Sequence, residues 1–239
     1  MDASEDKFFN GHLRIKQERR GYRFSIDAVL LAHHACPHPG ERVLDLGTGC
    51  GIIPLMLAFR HPQVKIYGIE IQEQLAQLAE DNVTANRMEG RIEICCMDMR
   101  RLKPHALSGS VDLAVSNPPY RKKDSGRINP DRQKAIAMHE IKNTLVDVAE
   151  AARRVLRTAG RLVTIYPAER MTEVVVQFRS SGIEPKRMRM IHSSSADDAK
   201  LFVIEGVKGG RAGVKIGPPL HIYQADGSYT SEVSKMFQP

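Results

Sequence analysis

The chain lacks most of the features that would settle its class at a glance. Its four cysteines, Cys36, Cys50, Cys95 and Cys96, include no C-x-x-C pair, which removes a zinc ribbon and a disulfide framework and leaves reduced thiols. No stretch reaches the roughly 18 consecutive apolar residues of a membrane span, so no membrane association is expected. The opening residues, MDASEDKFFNGHLRIKQERRGYRF, carry acids where a secretory signal needs a basic region and then an apolar core, and a cytoplasmic protein is expected. Pro37 and Pro39 separate His34 from His38 as a shared helical face, so no metal site is expected. Neither an internal repeat nor a low-complexity tract is present.

What is there fits one α/β domain: 239 residues, 42% of them hydrophobic and 26% charged, enough to bury a substantial core. The net charge of +7 is unevenly spread. Residues 121–134, RKKDSGRINPDRQK, hold six basic and two acidic residues, and residues 186–215 hold seven basic and three acidic. Basic excess gathered into two segments points to a polyanion, since phosphate contacts supply most of the affinity for nucleic acid. Two solvated loops are the competing explanation. Composition leaves the oligomeric state open.

Short apolar strands alternate with longer periodic stretches, the grammar of an α/β fold. Helical pattern over SIDAVLLAHHA (25–35) is followed by a strand at 42–47, a helix at 52–60, a strand at 65–71 and a helix at 73–87. Strands follow at 91–98, 111–116 and 161–167. The stretch NTLVDVAEAARRVLRTAG predicts a helix closed at Gly160 by a left-handed cap. PKRMRMIHSS and AKLFVIEGVK predict an antiparallel pair at the sheet edge. The Gly- and Pro-rich remainder predicts an irregular extension with one more short strand or turn.

The segment DLGTGCG (45–51) lies between the first of these strands and a helix, where glycines let a ligand approach the backbone. A dinucleotide fingerprint would need a glycine at 52, which is Ile; the third glycine is Gly51. The G-x-G-x-G spacing after Asp45 instead resembles the first motif of the S-adenosylmethionine methyltransferases. Gly47, Gly49 and Gly51 would line the cofactor, with Cys50 as a small filler. Glu70 ends the next strand, where a carboxylate can accept from both ribose hydroxyls. Asp98 is placed to accept from the adenine amine, and Ile71 and Met99 follow these two acids into the same pocket.

Residues 116–120 read SNPPY. Two prolines end a buried strand and hold Asn117 and Pro118 extended. An aromatic NH₂ is a weak nucleophile. Accepting its two hydrogens on the Asn117 side-chain oxygen and the Pro118 carbonyl would orient the nitrogen for in-line attack on a methyl sulfonium. Pro119 stiffens the corner and Tyr120 can stack on the base, a contact of about 1–3 kcal/mol. The stretch resembles the N-P-P-Y signature of amino-group methyltransferases, which specifies a planar amine rather than one substrate.

Together, GYRFSIDAVLLA (21–32), the glycine loop, SNPPYRKKDSGRINPDRQKAIAMHE (116–140) and LHIYQADGSYTSEV (220–233) resemble the bacterial adenine-N6 tRNA methyltransferases that modify the adenosine 3′ of the anticodon in a valine tRNA. The resemblance implies a class I S-adenosylmethionine methyltransferase fold, Rossmann-like, with a mostly parallel seven-stranded sheet and an antiparallel edge strand. It places Phe24 and Asp27 in the cofactor pocket and Asn117 to Tyr120 at the target base. Residues 1–35 would pack on the cofactor site, 36–210 would form the methyltransferase domain and 211–239 an extension. Arg121, Lys122 and Lys123 would sit at the mouth of the base pocket. Lys186, Arg187, Arg189, Lys208, Arg211 and Lys215 would follow the tRNA backbone as the base is flipped out. A protein glutamine N5-methyltransferase, a DNA base methyltransferase and an RNA-binding module with a vestigial site are the alternatives.

Overall fold

A computed structural model describes residues 3–18, 25–118 and 144–239. Phe24, Pro119, Tyr120, Arg121, Lys122 and Lys123 lie outside the described residues. The first strands, β1 (Ala3–Phe8) and β2 (Leu13–Glu18), form an antiparallel hairpin. Then come α1 (Ile26–Ala35), β3 (Arg42–Leu46), α2 (Ile52–Arg60), β4 (Lys65–Glu70), α3 (Glu73–Ala85), β5 (Ile92–Cys96) and β6 (Val111–Ser116). After residue 144 follow α4 (Leu145–Val155), β7 (Leu156–Pro167), α5 (Met171–Ser180), β8 (Ile183–His192), β9 (Ala199–Lys208), β10 (Lys215–Ile216), β11 (Leu220–His221) and α6 (Ser231–Lys235).

Seven strands form the expected sheet in the order β5-β4-β3-β6-β7-β9-β8, and the short β10 and β11 both pair with β8, making nine. Only β9 runs antiparallel, inserted between β7 and β8. The central strands are buried on both faces, β3 and β4 almost throughout, and their middles are mostly apolar. One face packs on α1, α2 and α3 through residues such as Leu30, Leu55 and Leu78; the other packs on α4 and α5 through Val148 and Phe178.

Local chemistry explains the boundaries. Thr144 and Asp147 form a reciprocal capping box that starts α4. That helix ends at Val155 rather than at Gly160, because Leu156 already pairs with Val111 on β6. The residues up to Arg161, which rejoins β6 at Leu113, bulge out of the ladder. Ala159, not Gly160, takes the positive φ of 60°. Gly160 is needed for closeness instead: a Cβ there would stand 2.9 Å from the Arg157 carbonyl oxygen. The C-terminal stretch is also more ordered than expected, with β10, β11, a Tyr223–Tyr229 bridge and α6 capped by the Thr230 hydroxyl.

Candidate functional site

The glycine loop and the proline corner meet through the register of the sheet. Asp45 on β3 pairs with Val115 on β6 and with Gly68 on β4. Two residues further along, Gly47 and Asn117 leave adjacent parallel strands at one level, about 5 Å apart by strand spacing. Ser116 fixes that level: its buried hydroxyl donates to the Leu46 carbonyl at 2.7 Å. That bond ties the start of the loop to the start of the corner. Asn117 is half-buried and Pro118 buried.

The loop needs its glycines for conformation. Gly47, Gly49 and Gly51 have φ of 81°, 58° and 85°, a region costly for other residues. A Cβ at Gly51 would also press to 3.2 Å from Ala79 Cβ, whereas at Gly47 Met99 Cε alone among the described residues comes within reach, at 4.0 Å. Cys50 is buried and its thiol is pushed up to about 12 by burial, which suits a filler rather than a nucleophile.

Glu70 holds this loop in place. One carboxylate oxygen accepts from Gly49 N–H at 3.0 Å, and the other accepts from the Ile71 and Gln72 N–H groups, each at 2.9 Å. Burial raises its pKa, and these backbone donors oppose the rise. Its lone-pair capacity is not exhausted, since a carboxylate accepts about four hydrogen bonds. Asp98 caps a single helical turn and is gripped by the Arg100 side chain at 2.6–3.0 Å, which holds its pKa below the usual carboxylate range. Asp27 stands half-buried in the first turn of α1, which starts on the carboxyl side of the sheet because its far end leads into β3.

Asp45 is the site's unsatisfied group. It is fully buried, and among the described residues neither carboxylate oxygen meets a hydrogen-bond partner. Burial pushes it up to about 7, opposed by the nearby Thr48 hydroxyl and reinforced by the Glu70 charge. A buried acceptor in this state favours a cationic or N–H donor. S-adenosylmethionine carries an ammonium and a sulfonium, and the glycine loop, the two acids and Asp45, unsatisfied among the described residues, fit it. When bound, the cofactor supplies a methyl group on a sulfonium leaving group.

Three residues that hold the site escaped the sequence reading. Ser116 looked like the last residue of a strand. Gly68, in mid-strand, leaves the space that Thr48 and Ile94 fill; a Cβ there would come within 2.7 Å of Ile94 Cδ1 and 3.1 Å of Thr48. A glycine inside an apolar strand was the available signal. Asn82 is fully buried on α3. Its amide accepts from Lys16 N–H at 2.8 Å and donates to the Lys16 and Cys50 carbonyls, both at 2.9 Å. It joins the N-terminal hairpin to the glycine loop.

The second basic segment lies toward the β8 edge of the sheet, four strands from β3 and its glycine loop, on β8 to β10. Lys186 donates to the Arg211 carbonyl and Lys208 to the Leu156 carbonyl. Arg189 grips Glu232 with both terminal nitrogens, at 2.7 and 3.0 Å, and donates to the Pro218 carbonyl at 2.9 Å. Its guanidinium ties α6 and the C-terminal stretch to β8. The side chains of Arg187 and Lys215 make no hydrogen bond or ion pair with any described residue.

A Rossmann-like sheet with a glycine loop, paired acids and an N-P-P corner defines an S-adenosylmethionine-dependent methyltransferase. Among solved structures, a predicted O-methyltransferase from Agrobacterium tumefaciens matches with a TM-score of 0.70 over 88% of this chain and 94% of that one, at 21% identity. A SAM-dependent methyltransferase from Aquifex aeolicus matches with a TM-score of 0.55 over 76% and 89%, at 16% identity. Residues 23–178 match the model of the methyltransferase small domain. A tRNA1(Val) (adenine(37)-N6)-methyltransferase of Porphyromonas gingivalis is 32% identical over 94% of this chain and 91% of its own length. The protein of the same name from Tolumonas auensis is 32% identical over 70% and 69%. The chain belongs to the methyltransferase small domain family, in the branch of these tRNA1(Val) (adenine(37)-N6)-methyltransferases.

Proposed function

We propose that this protein transfers the methyl group of S-adenosylmethionine to the exocyclic N6 of an adenosine in tRNA, near the anticodon. The relatives' names specify adenine 37 of a valine tRNA. The observation that carries the proposal is the shared level of Gly47 and Asn117, pinned by the Ser116 hydroxyl. That level favours a planar-amine acceptor pair beside the cofactor loop. The amine nitrogen attacks the methyl carbon, the carbon–sulfur bond breaks, S-adenosylhomocysteine leaves and the nitrogen loses a proton to solvent. Asn117 and the Pro118 carbonyl orient the amine, Pro119 keeps the corner rigid, and Tyr120 stacks on the base.

Asp45, Glu70, Asp98 and the loop hold the cofactor, with Phe24, Asp27, Ile71 and Met99 around it. Residues 1–35 support that pocket; the bonds from Asn82 to the hairpin and to Cys50 favour this division. Residues 36–210 form the catalytic domain, and 211–239 extend the basic edge. Arg121, Lys122 and Lys123, with Lys186, Arg187, Arg189, Lys208, Arg211 and Lys215, contact the tRNA backbone. A tRNA substrate carries a cytoplasmic location with it. No helix among the described residues is long and apolar enough to cross a membrane.

The test is incubation with radiolabelled S-adenosylmethionine and, separately, unmodified tRNA, duplex DNA and cell protein extract. Label in tRNA alone supports the proposal. Label in protein alone points to glutamine methylation, label in DNA alone to base methylation of DNA, and none with any substrate to a binding module; each would overturn it.

A further inference from the structure

A cleft of about 770 Å³ opens between the end of α1, the sheet face of β7, β9 and β8, and the short strand β10. Its volume lies in the range of small-molecule sites. The floor is apolar, made of Val163 and Val203 on the α1 face of the sheet, and Ile216 stands at the lip, 67% exposed. The rim is cationic. Arg161 is spent on Glu41 at 2.7 Å and Glu205 at 3.4 Å, and Arg189 on Glu232. Arg187 and Lys215 remain, and both face the cleft from one rung of the β8–β10 ladder. Among the described residues, the one carboxylate facing this rung, Glu205 across from Arg187, is bonded to Arg161; two cations side by side repel each other, and an anion between them relieves that repulsion. His33 and His34 also line the cleft, and burial lowers both pKa values, His33 to about 4, so they present neutral rings.

The cleft is separate from the proline corner. Arg187 pairs with Glu205, Glu205 with Val163, and Val163 with Val115. Arg187 therefore lies three strands across from β6 and two residues below Asn117, about 15 Å away by strand spacing and rise. A stacked strand of about 3.4 Å per nucleotide covers that distance in four or five nucleotides.

From this geometry we infer that the cleft is a second nucleotide site, with a phosphate between Arg187 and Lys215 and a base over the floor of Val163 and Val203. Its occupant is a nucleotide of the substrate RNA away from the target base, or a free nucleotide of the same chemistry. The first source rests on the tRNA proposal; the second does not.

The experiment measures binding of a labelled single-stranded RNA 12-mer by fluorescence anisotropy from 50 to 300 mM salt, and of ATP and S-adenosylmethionine by calorimetry. The test variant is Arg187→Gln with Lys215→Gln. The control, Lys103→Gln with Lys200→Gln, removes the same charge from exposed positions outside the cleft. The test variant should bind the probe at least ten-fold more weakly and lower the slope of log K against log salt by about 1.4. The control should change little, and S-adenosylmethionine affinity should hold in both, which also reports folding. Loss for RNA alone assigns the site to the RNA chain, and loss for ATP alone or for both assigns it to nucleotides at large. Equal loss in test and control, or wild-type binding to neither probe, overturns the inference. ATP binding that vanishes in the test variant, with no methylation of tRNA, would leave the cleft standing and remove the tRNA proposal.

Discussion

Asn82→Ala tests whether the N-terminal hairpin and the cofactor loop are joined through one buried amide. The wild-type side chain makes three hydrogen bonds of 2.8–2.9 Å, two to Lys16 and one to the Cys50 carbonyl. Each such bond is worth about 1 kcal/mol net, and a buried acceptor left without a donor costs about 1–3 kcal/mol. Lys16 is exposed on the half-buried strand β2 and can recover water, whereas the Cys50 carbonyl sits in a buried loop. The expected loss is about 2–4 kcal/mol, or roughly 6–12 °C in melting temperature for a chain of this size. Because the stranded carbonyl belongs to the cofactor loop, affinity for S-adenosylmethionine should fall several-fold as well. Asn82→Asp keeps the acceptor for Lys16 but loses both donors and buries a carboxylate, so it should be more damaging at pH 8 than at pH 5. Thermal melts and calorimetric titration of the cofactor measure both effects. A melting temperature lowered by less than about 2 °C, with unchanged cofactor affinity, would refute the linkage.

Other outcomes follow from single contacts. The Asp45 carboxyl sits near pH 7 in the fold against 3.8 ordinarily. Its contribution thus favours the folded state below about pH 4 and is lost as pH rises through 7, on the order of 4 kcal/mol at most. Unliganded wild type should melt lower at pH 8 than at pH 5, and Asp45→Asn should flatten that slope while weakening cofactor binding; an unchanged slope would sink this account. Ser116→Ala removes the strut between corner and loop. It should lower kcat about ten-fold, near 1.4 kcal/mol, with cofactor affinity within two-fold; loss confined to cofactor binding would contradict it. Glu232 is held below the usual carboxylate range by Arg189 first of all, so the tie to α6 is present above that range and is lost as pH falls. Glu232→Gln should speed proteolytic cleavage around residues 224–230 at neutral pH, by an amount matching about 1 kcal/mol for a half-exposed pair. Equal cleavage rates at neutral pH would show that the tie is elsewhere.

The parts of the fold visible in the sequence are those with a periodic or backbone signal. Buried parallel strands read as apolar runs, and the glycines at 47, 49 and 51 matched the loop because their φ values demand them. The end of α4 was misread because Gly160 looks like a helix cap. Its true constraint, closeness to the Arg157 carbonyl, is a tertiary contact that local sequence does not carry. Asn82 and Ser116 stayed invisible for a similar reason: a buried polar residue inside an apolar pattern reads as a weak spot until its partners are known. Likewise Arg189 and Lys208 counted equally with Arg187 as positive charge. Only the fold shows that Arg189 is occupied by Glu232, and that Lys208 bonds the Leu156 carbonyl.

The most direct test of the central claim is the rate of N6-methyladenosine formation in unmodified valine tRNA by wild type and Asn117→Ala, with nucleoside digestion to identify the product and cofactor affinity measured in parallel. An oriented acceptor at the reacting amine predicts a loss of about 10²–10³ in kcat, similar to removal of other preorganised hydrogen-bonding groups, with S-adenosylmethionine binding intact. Activity within ten-fold of wild type, or label recovered on any atom other than adenine N6, would contradict the account.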